Sequence, residues 1–154
     1  MQQMRQLMGL RAVGARTAWI LVMELFSWRA IKNGKELGAL VGLTPVPYDS
    51  GKSQREQGIS KAGNKHVRAL LVELAWLWLR WQPRSRLSQW YERRFGAGNK
   101  RARKVGIVAL ARKLLIALWR YVDQGELPEG AEEKDWRLNV SATARRHAKR
   151  AVMA

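Results

Sequence analysis

Cysteine is absent from this chain, and histidine occurs only twice. The lack of cysteine excludes thiol nucleophiles, disulfide bonds and cysteine-ligated metals, and it fits a reducing cytosol. His66 and His147 lie far from each other and from acidic residues at ligand spacing. The sequence therefore predicts no metal site built by this chain.

Long apolar runs are also missing. The longest, such as residues 69–72 and 74–79, are far shorter than the roughly 20 residues that a membrane-spanning helix requires. Residues 1–8 are polar and mixed, and no small-residue cleavage site of a signal peptide follows them. We therefore expect a cytoplasmic protein with no membrane partner.

Acidic residues are scarce, with 12 Asp and Glu against 29 Lys and Arg, which gives a net charge of +17. A charge this one-sided repels itself unless a polyanion neutralises it, so nucleic acid is the expected partner. A basic scaffold protein with a solvated surface is the alternative that composition leaves open. The eight tryptophans can serve as core mass or as stacking platforms for bases, and we expect most of them in the core.

Apolar residues recur at helical spacing, which predicts an all-α fold. The predicted helices cover residues 4–9, 15–26, 35–41, 65–81, 86–95 and 100–124. On helix 15–26 one face is predicted to comprise Ala18, Leu21, Val22 and Leu25. On helix 65–81 one stripe is predicted to comprise Val67, Leu70, Leu71, Leu74 and Trp78. Trp76, Leu77 and Leu79 are expected to make the second half of helix 65–81 buried all round. The inward face of the last helix is predicted to comprise Val105, Val108, Ala109, Leu115, Ile116, Trp119 and Val122.

The first two predicted helices are joined by a short turn, residues 10–14, that contains Gly14. Helix, glycine-bearing turn and helix is the outline of a DNA-binding helix-hairpin-helix, whose turn amides hold a phosphate. Ala12 stands where the first glycine of the usual pair would be, so a plain helical hairpin is equally compatible. At the other end, residues 128–154 are predicted to form a polar, basic and disordered tail after a helical domain of residues 1–127.

Residues 44–58 form a predicted irregular loop, because two prolines and two glycines interrupt any helix there. The loop contains Ser50, and a hydroxyl attacks a phosphodiester only if a base takes its proton and cations neutralise the phosphoryl oxygens. Asp49, directly before Ser50, is the obvious local base. The alternative is an ordinary turn serine. The cations that follow Ser50 are Lys52, Arg55, Lys61, Lys65 and Arg68; a second basic set on the last helix includes Arg101, Arg103 and Lys104.

Five ordered motifs extend over most of the chain: Leu43-Thr-Pro45, Tyr48-Asp-Ser-Gly51, Gly58-Ile-Ser-Lys-Ala-Gly-Asn64, Leu70-Leu-Val-Glu-Leu-Ala-Trp76 and Val108-Ala-Leu-Ala-Arg-Lys113. With these motifs the chain resembles the C-terminal domain of the insertion sequence 110/116/902 transposases. The resemblance runs from about residue 7 to residue 128.

The resemblance implies that Ser50 is the nucleophile that forms a covalent phosphoserine link to DNA. It also implies an N-terminal RuvC-like domain whose DEDD carboxylates bind a divalent metal, Mg²⁺, and help to activate the serine. The implied partners are element-end and target DNA, a structured guide RNA in some members, and further subunits of a homo-oligomer or of full-length transposase. The implied location is the prokaryotic nucleoid.

Three features depart from the family pattern. Asp49 places a negative charge beside the implied nucleophile, and Ala12 replaces a hairpin glycine. No DEDD set can be assembled from the residues present, so we expect a truncated or split transposase that is incomplete alone. A non-catalytic nucleic-acid-binding remnant, or an interfering subunit of a transposase, is the alternative.

Overall fold

The computed structural model describes residues 2–26, 31–43, 65–135, 148–149 and 151–152. Its named helices are α1 (Gln2–Met8), α2 (Ala15–Leu21), α3 (Gly34–Val41), α4 (Lys65–Trp81), α5 (Arg86–Phe95) and α6 (Lys100–Gln124), with a π-helical segment, Val22–Phe26, continuing α2. Within these residues the only β-type pairing is an isolated bridge between Leu10 and Glu133. The all-α prediction is confirmed.

The helix limits agree closely with the sequence prediction because local signals set them. The side chains of Asn33 and Asn99 cap α3 and α6, accepting hydrogen bonds from the amides of Glu36 and Ala102. Ser85 does the same for α5. Gly42 and Gly125 end α3 and α6 in the left-handed conformation, each with φ of 72°.

The core is organised around α6, which packs against α1, α3, α4 and α5. On α4, all five residues of the predicted stripe are buried: Val67, Leu70, Leu71, Leu74 and Trp78. On α2 and its π-helical continuation, the predicted shared face is buried as well, comprising Ala18, Leu21, Val22 and Leu25. Helical periodicity therefore identified the inner faces of these two elements correctly.

The predicted inner face of α6 was partly wrong. Val105 and Val108 are 61% and 40% exposed, whereas Gly106 and Ile107 face the core. The buried residues of α6 are Gly106, Ile107, Leu110, Ala111, Leu114, Leu115, Leu118 and Tyr121. Apolar residues occur on more than one side of this helix, so its sequence left the choice of face open, and packing against α4 and α5 decided it.

The expectation that most tryptophans lie in the core also needs correction. Among the six tryptophans that the structure describes, only Trp78 is fully buried, and its Nε1–H donates to the hydroxyl of Ser85 at 2.8 Å. Trp90 and Trp119 are partly buried. Trp19, Trp76 and Trp81 are each more than two-fifths exposed, so the second half of α4 is not buried all round.

Residues 128–135, here called the C-terminal segment, lie against the turn between α1 and α2. The amide of Arg11 donates to the carbonyl of Glu132 at 3.1 Å, and the amide of Lys134 donates to the carbonyl of Gly9 at 2.7 Å. The side chains of Arg11 and Glu132 form an ion pair at 2.8 Å. Backbone pairing therefore holds this part of the predicted disordered tail against the helices. Residues 136–147, the middle of the predicted tail, lie outside the described residues.

Candidate nucleic-acid interface

Five of the eight predicted DNA-binding cations lie within the described residues. Lys65, Arg101, Arg103 and Lys104 are exposed, and Arg68 is half-buried. Lys65 and Arg68 belong to the first turn of α4, and the other three to the first turns of α6. The proposed nucleophile Ser50 and the cations Lys52, Arg55 and Lys61 lie outside the described residues, so their roles stay predictions.

The start of α6 carries positive charge where a helix is least able to stabilise it. Lys100, Arg101, Arg103 and Lys104 all lie in its first turns, and the first turn contains no acidic residue. Because a helix N-terminus is itself partially positive, cations there are unfavourable by about 0.3–1 kcal/mol each. These residues therefore do not stabilise the free helix, and an external anion is the partner that would relieve them.

The backbone that carries these cations is fixed by α5. The hydroxyl of Tyr91 donates to the carbonyl of Arg103 at 3.2 Å, and the ring of Phe95 packs directly against Gly106. Tyr91 is fully buried. The basic start of α6 is thus presented from a rigid support, as a binding surface requires.

A cleft of about 470 Å³ lies between α4 and the basic start of α6. It is lined by Trp76 from α4 together with Gly98, Lys100, Arg103 and Lys104. Lys100 was not among the cations predicted to bind DNA, and Trp76 was predicted to lie in the core. The sequence does contain a signal that Trp76 is exposed. Trp76 lies two positions from both Leu74 and Trp78, which belong to the buried stripe of α4, and it is therefore on the opposite face of the helix.

The turn between α1 and α2 shows the hairpin outline in an altered form. Ala12 has a φ of 81°, which is the left-handed conformation that favours glycine. The amide of Arg11 donates to Glu132, and the amide of Val13 donates to the carbonyl of Leu10. Two of the turn amides are thus already engaged within the chain and are not free to bind a phosphate.

A second cleft, of about 550 Å³, lies beside this turn and has mixed charge. Arg11 and Lys134 line it together with Glu132, Glu133 and Asp135. Burial lowers the pKa of Lys134, whose Nζ donates to the carbonyl of Val13 at 2.6 Å. Burial, followed by the charge of Glu133 and a hydrogen bond to it, raises the pKa of Tyr121. Three carboxylates make this cleft a poor phosphate site, so the basic cleft at Trp76 is the better candidate.

Comparison with known proteins identifies the group to which the chain is related. The family model described as Transposase IS116/IS110/IS902 family matches residues 4–91. The chain belongs to this family. The matched range contains Ser50, Trp76 and the whole of α4, whereas the basic start of α6 lies beyond it.

Two relatives within the transposase family illustrate the extent of the similarity. The candidate transposase y4rJ of Sinorhizobium fredii is 45% identical over 129 residues, which is 83% of this chain and 32% of y4rJ. The transposase for insertion sequence element IS1328 of Yersinia enterocolitica is 32% identical over 123 residues, which is 79% of this chain and 36% of that protein. The chain thus spans about a third of the length of these family members. No solved structure matches it at a significant level.

Within the part of the chain that the structure describes, no three His, Asp or Glu side chains are grouped so that they could hold a metal ion. In the same residues, no helix combines the length and the apolar character needed to cross a membrane.

Proposed function

We propose that this chain is the serine-bearing, nucleic-acid-binding part of an insertion-sequence transposase. Membership of the IS116/IS110/IS902 transposase family is the observation that carries the proposal. The net charge of +17 supports binding to a polyanion, and so does the basic start of α6, whose cations form no ion pair within the described residues. DNA at the element ends and at the target is the proposed substrate, with a structured guide RNA as a further partner.

In the proposed reaction, the Oγ of Ser50 attacks a phosphodiester phosphorus. A bond forms between Oγ and phosphorus while the bond from phosphorus to one deoxyribose oxygen breaks. The proton of Ser50 passes to a base, and the leaving oxygen is protonated. Lys52, Arg55, Lys61, Lys65 and Arg68 are proposed to neutralise the phosphoryl oxygens.

A divalent metal belongs to this proposal as a group held by another domain. The described residues of this chain do not fit a metal, because they contain no group of three carboxylate or imidazole ligands. We assign the metal, Mg²⁺, to the acidic RuvC-like domain of a full-length transposase. This chain would meet that domain in an oligomer that contains full-length transposase subunits. The proposed place of action is the nucleoid of a prokaryotic cell.

Complementation tests the catalytic part of the proposal. The chain is mixed with a full-length family transposase whose own nucleophilic serine is replaced by alanine, with element-end DNA and Mg²⁺. The expected product is a covalent protein–DNA adduct with the mass of this chain. Ser50→Ala should abolish the adduct and leave DNA affinity unchanged, whereas the neighbouring Ser53→Ala and Ser60→Ala should retain it.

The binding-only alternative gives a different result in the same experiment. A non-catalytic remnant or interfering subunit would bind DNA equally well with or without Ser50 and would form no adduct. Binding itself is tested by salt dependence, because log affinity should fall with log salt by about 0.9 per duplex phosphate contacted. A flat salt response would exclude an electrostatic nucleic-acid surface and with it both versions of the function.

A further inference from the structure

Trp76 is an indole left open on the outer face of a helix whose other side forms the core. It is 43% exposed, although its neighbours Leu74, Ala75 and Trp78 are buried. Most large aromatic side chains of a small domain gain stability by burial. A partly exposed indole that lines a cleft is therefore informative, because it offers a flat apolar surface to a ligand.

Two other tryptophans, Trp81 at the end of α4 and Trp90 on α5, already have cations on their rings. Arg80 and Arg11 lie 5.3 and 5.9 Å from the ring centroid of Trp81. Lys113 and Arg94 lie 4.6 and 5.8 Å from that of Trp90. Within the described residues no such cation covers Trp76, so its ring differs from these two in being open to stacking by another planar group.

The cations beside Trp76 are likewise uncompensated within the described part of the chain. The ion pairs there involve Arg11, Arg84 and Arg86; none involves Lys100, Arg103 or Lys104. Glu73 is the acid nearest to Trp76 along α4, and it does not line the cleft. An open indole beside three unpaired cations therefore presents stacking and anion binding side by side.

The size of the cleft suits a ligand larger than an isolated phosphate ion. Its volume of about 470 Å³ lies in the range of about 300–1,000 Å³ that is typical of small-molecule sites. Aromatic side chains in a positively charged groove are the arrangement with which proteins bind single-stranded nucleic acid, because every base has a face that can stack. In a duplex both faces of an internal base are covered by its neighbours, so stacking on Trp76 requires an unpaired base.

We infer that the cleft between Trp76 and the start of α6 binds an unpaired nucleotide. The base stacks on the indole of Trp76, and the flanking phosphates contact Lys100, Arg103 and Lys104. This inference deepens the proposed nucleic-acid binding and rests on it, but it does not depend on the chemistry of Ser50. The unpaired base can come from melted DNA or from RNA, which share this chemistry.

The test measures affinity for a short oligothymidylate, a short oligouridylate and a mixed-sequence DNA duplex of the same length. Trp76→Ala should weaken oligothymidylate binding by about 5- to 140-fold, the range expected for the loss of one stacked base. Duplex affinity should change by less than about 2-fold, since stacking is not used there. Trp81→Ala is the matched control because Trp81 is also 43% exposed, and it should leave all three affinities unchanged.

A second variant distinguishes the loss of stacking from the loss of the fold in Trp76→Ala. Trp76→Phe keeps an aromatic face, so it should hold oligothymidylate affinity close to that of the parent chain. Binding of an oligonucleotide should quench the intrinsic tryptophan fluorescence of the parent chain. Trp76→Phe should remove the part of this quenching that Trp76 contributes. Circular dichroism and the urea midpoint confirm that each variant is folded. Replacing Lys100, Arg103 and Lys104 together by Gln should weaken binding of all three probes and reduce the salt slope.

The outcomes separate this site from the proposed function. If duplex binding is normal and neither Trp76 variant changes oligonucleotide binding or fluorescence quenching, the inferred site is wrong. The proposed function would not be affected by that result. If the parent chain binds none of the probes at low salt, the proposed function fails and the site fails with it. A Trp76-dependent preference for oligouridylate supports the site with RNA as the source of the base, and the reverse preference supports it with DNA.

Discussion

Gly106 of α6 faces the ring of Phe95 so closely that there is no room between them for a methyl group. A Cβ atom added at Gly106 would lie 2.6 Å from Cδ2 and 2.8 Å from Cδ1 of Phe95. Phe95 is the last residue of α5 and also contacts the rings of Trp90 and Tyr91, with centroids 5.7 Å apart in each pair. This contact sets how closely α5 can approach the basic half of α6.

Gly106→Ala is expected to lower the free energy of unfolding by up to about 2 kcal/mol. Overpacking against Phe95 costs about 1–3 kcal/mol, and the better helix propensity of alanine offsets about 1 kcal/mol of that. Urea denaturation measures the change. The control is a double-mutant cycle with Phe95→Leu, in which the smaller side chain should remove most of the loss. Equal losses in the two backgrounds would show that the ring is not the cause.

Gly125→Ala should lower the free energy of unfolding by about 1 kcal/mol, because of strain in the backbone alone. Gly125 has a φ of 72° and no atom within 4 Å of the position that a Cβ would occupy, so strain in the left-handed conformation is the only penalty. Gly125→Asn is the matched variant, because asparagine tolerates this conformation better. Thermal unfolding of the two variants should therefore rank Asn above Ala, and the reverse order would contradict the conformational explanation.

Gln82→Leu is expected to destabilise the chain by about 2–4 kcal/mol, since it removes a buried link between three segments. The Nε2 of Gln82 donates to the carbonyls of Arg11 and Glu132 at 3.0 and 2.8 Å, and its Oε1 accepts from the amide of Glu132 at 2.8 Å. Gln82 is only 1% exposed. The exposed Gln89 serves as the control, and Gln89→Leu should change stability by less than about 0.5 kcal/mol. Similar urea midpoints for the two variants would refute a bridging role.

Two truncated chains test whether the C-terminal segment belongs to the fold. A chain that ends at Leu127 should lose at least about 2 kcal/mol of stability, because it lacks the hydrogen bonds of Glu132 and Lys134 to the turn between α1 and α2. A chain that ends at Asp135 keeps those bonds and should unfold at nearly the same urea concentration as the full chain. If both truncations behave alike, the segment contributes nothing to stability.

The local sequence predicted the limits of the helices well. Pro83 ends α4, Gly42 ends α3, and Gly125 follows the last residue of α6, in each case through the backbone preferences of a single residue. The basic residues at the start of α6 were predicted to bind DNA, and the structure shows that Arg101, Arg103 and Lys104 are exposed, as such binding requires. Charged side chains rarely leave water, so their exposure follows from residue type.

Features that depend on distant residues were not predictable in this way. The sequence placed Val105 and Val108 inside and Trp76 in the core, yet all three are exposed. Which apolar side of α6 is buried depends on where α4 and α5 lie, and a periodic pattern with apolar residues on several sides does not specify it. The role of Ser50 remains a prediction, since the residue lies outside the described part of the chain.

The sequence by itself determined the helical class, the helix limits, the strong positive charge and the resemblance to the IS116/IS110/IS902 transposases. These properties depend on residue type and on neighbours a few positions away. Only the tertiary structure decided that Glu132 pairs with Arg11 and that Trp76 shares a cleft with Lys100, Arg103 and Lys104. Both arrangements bring together residues far apart in the chain, and their energies come from packing and hydrogen bonds that exist only once the helices have assembled.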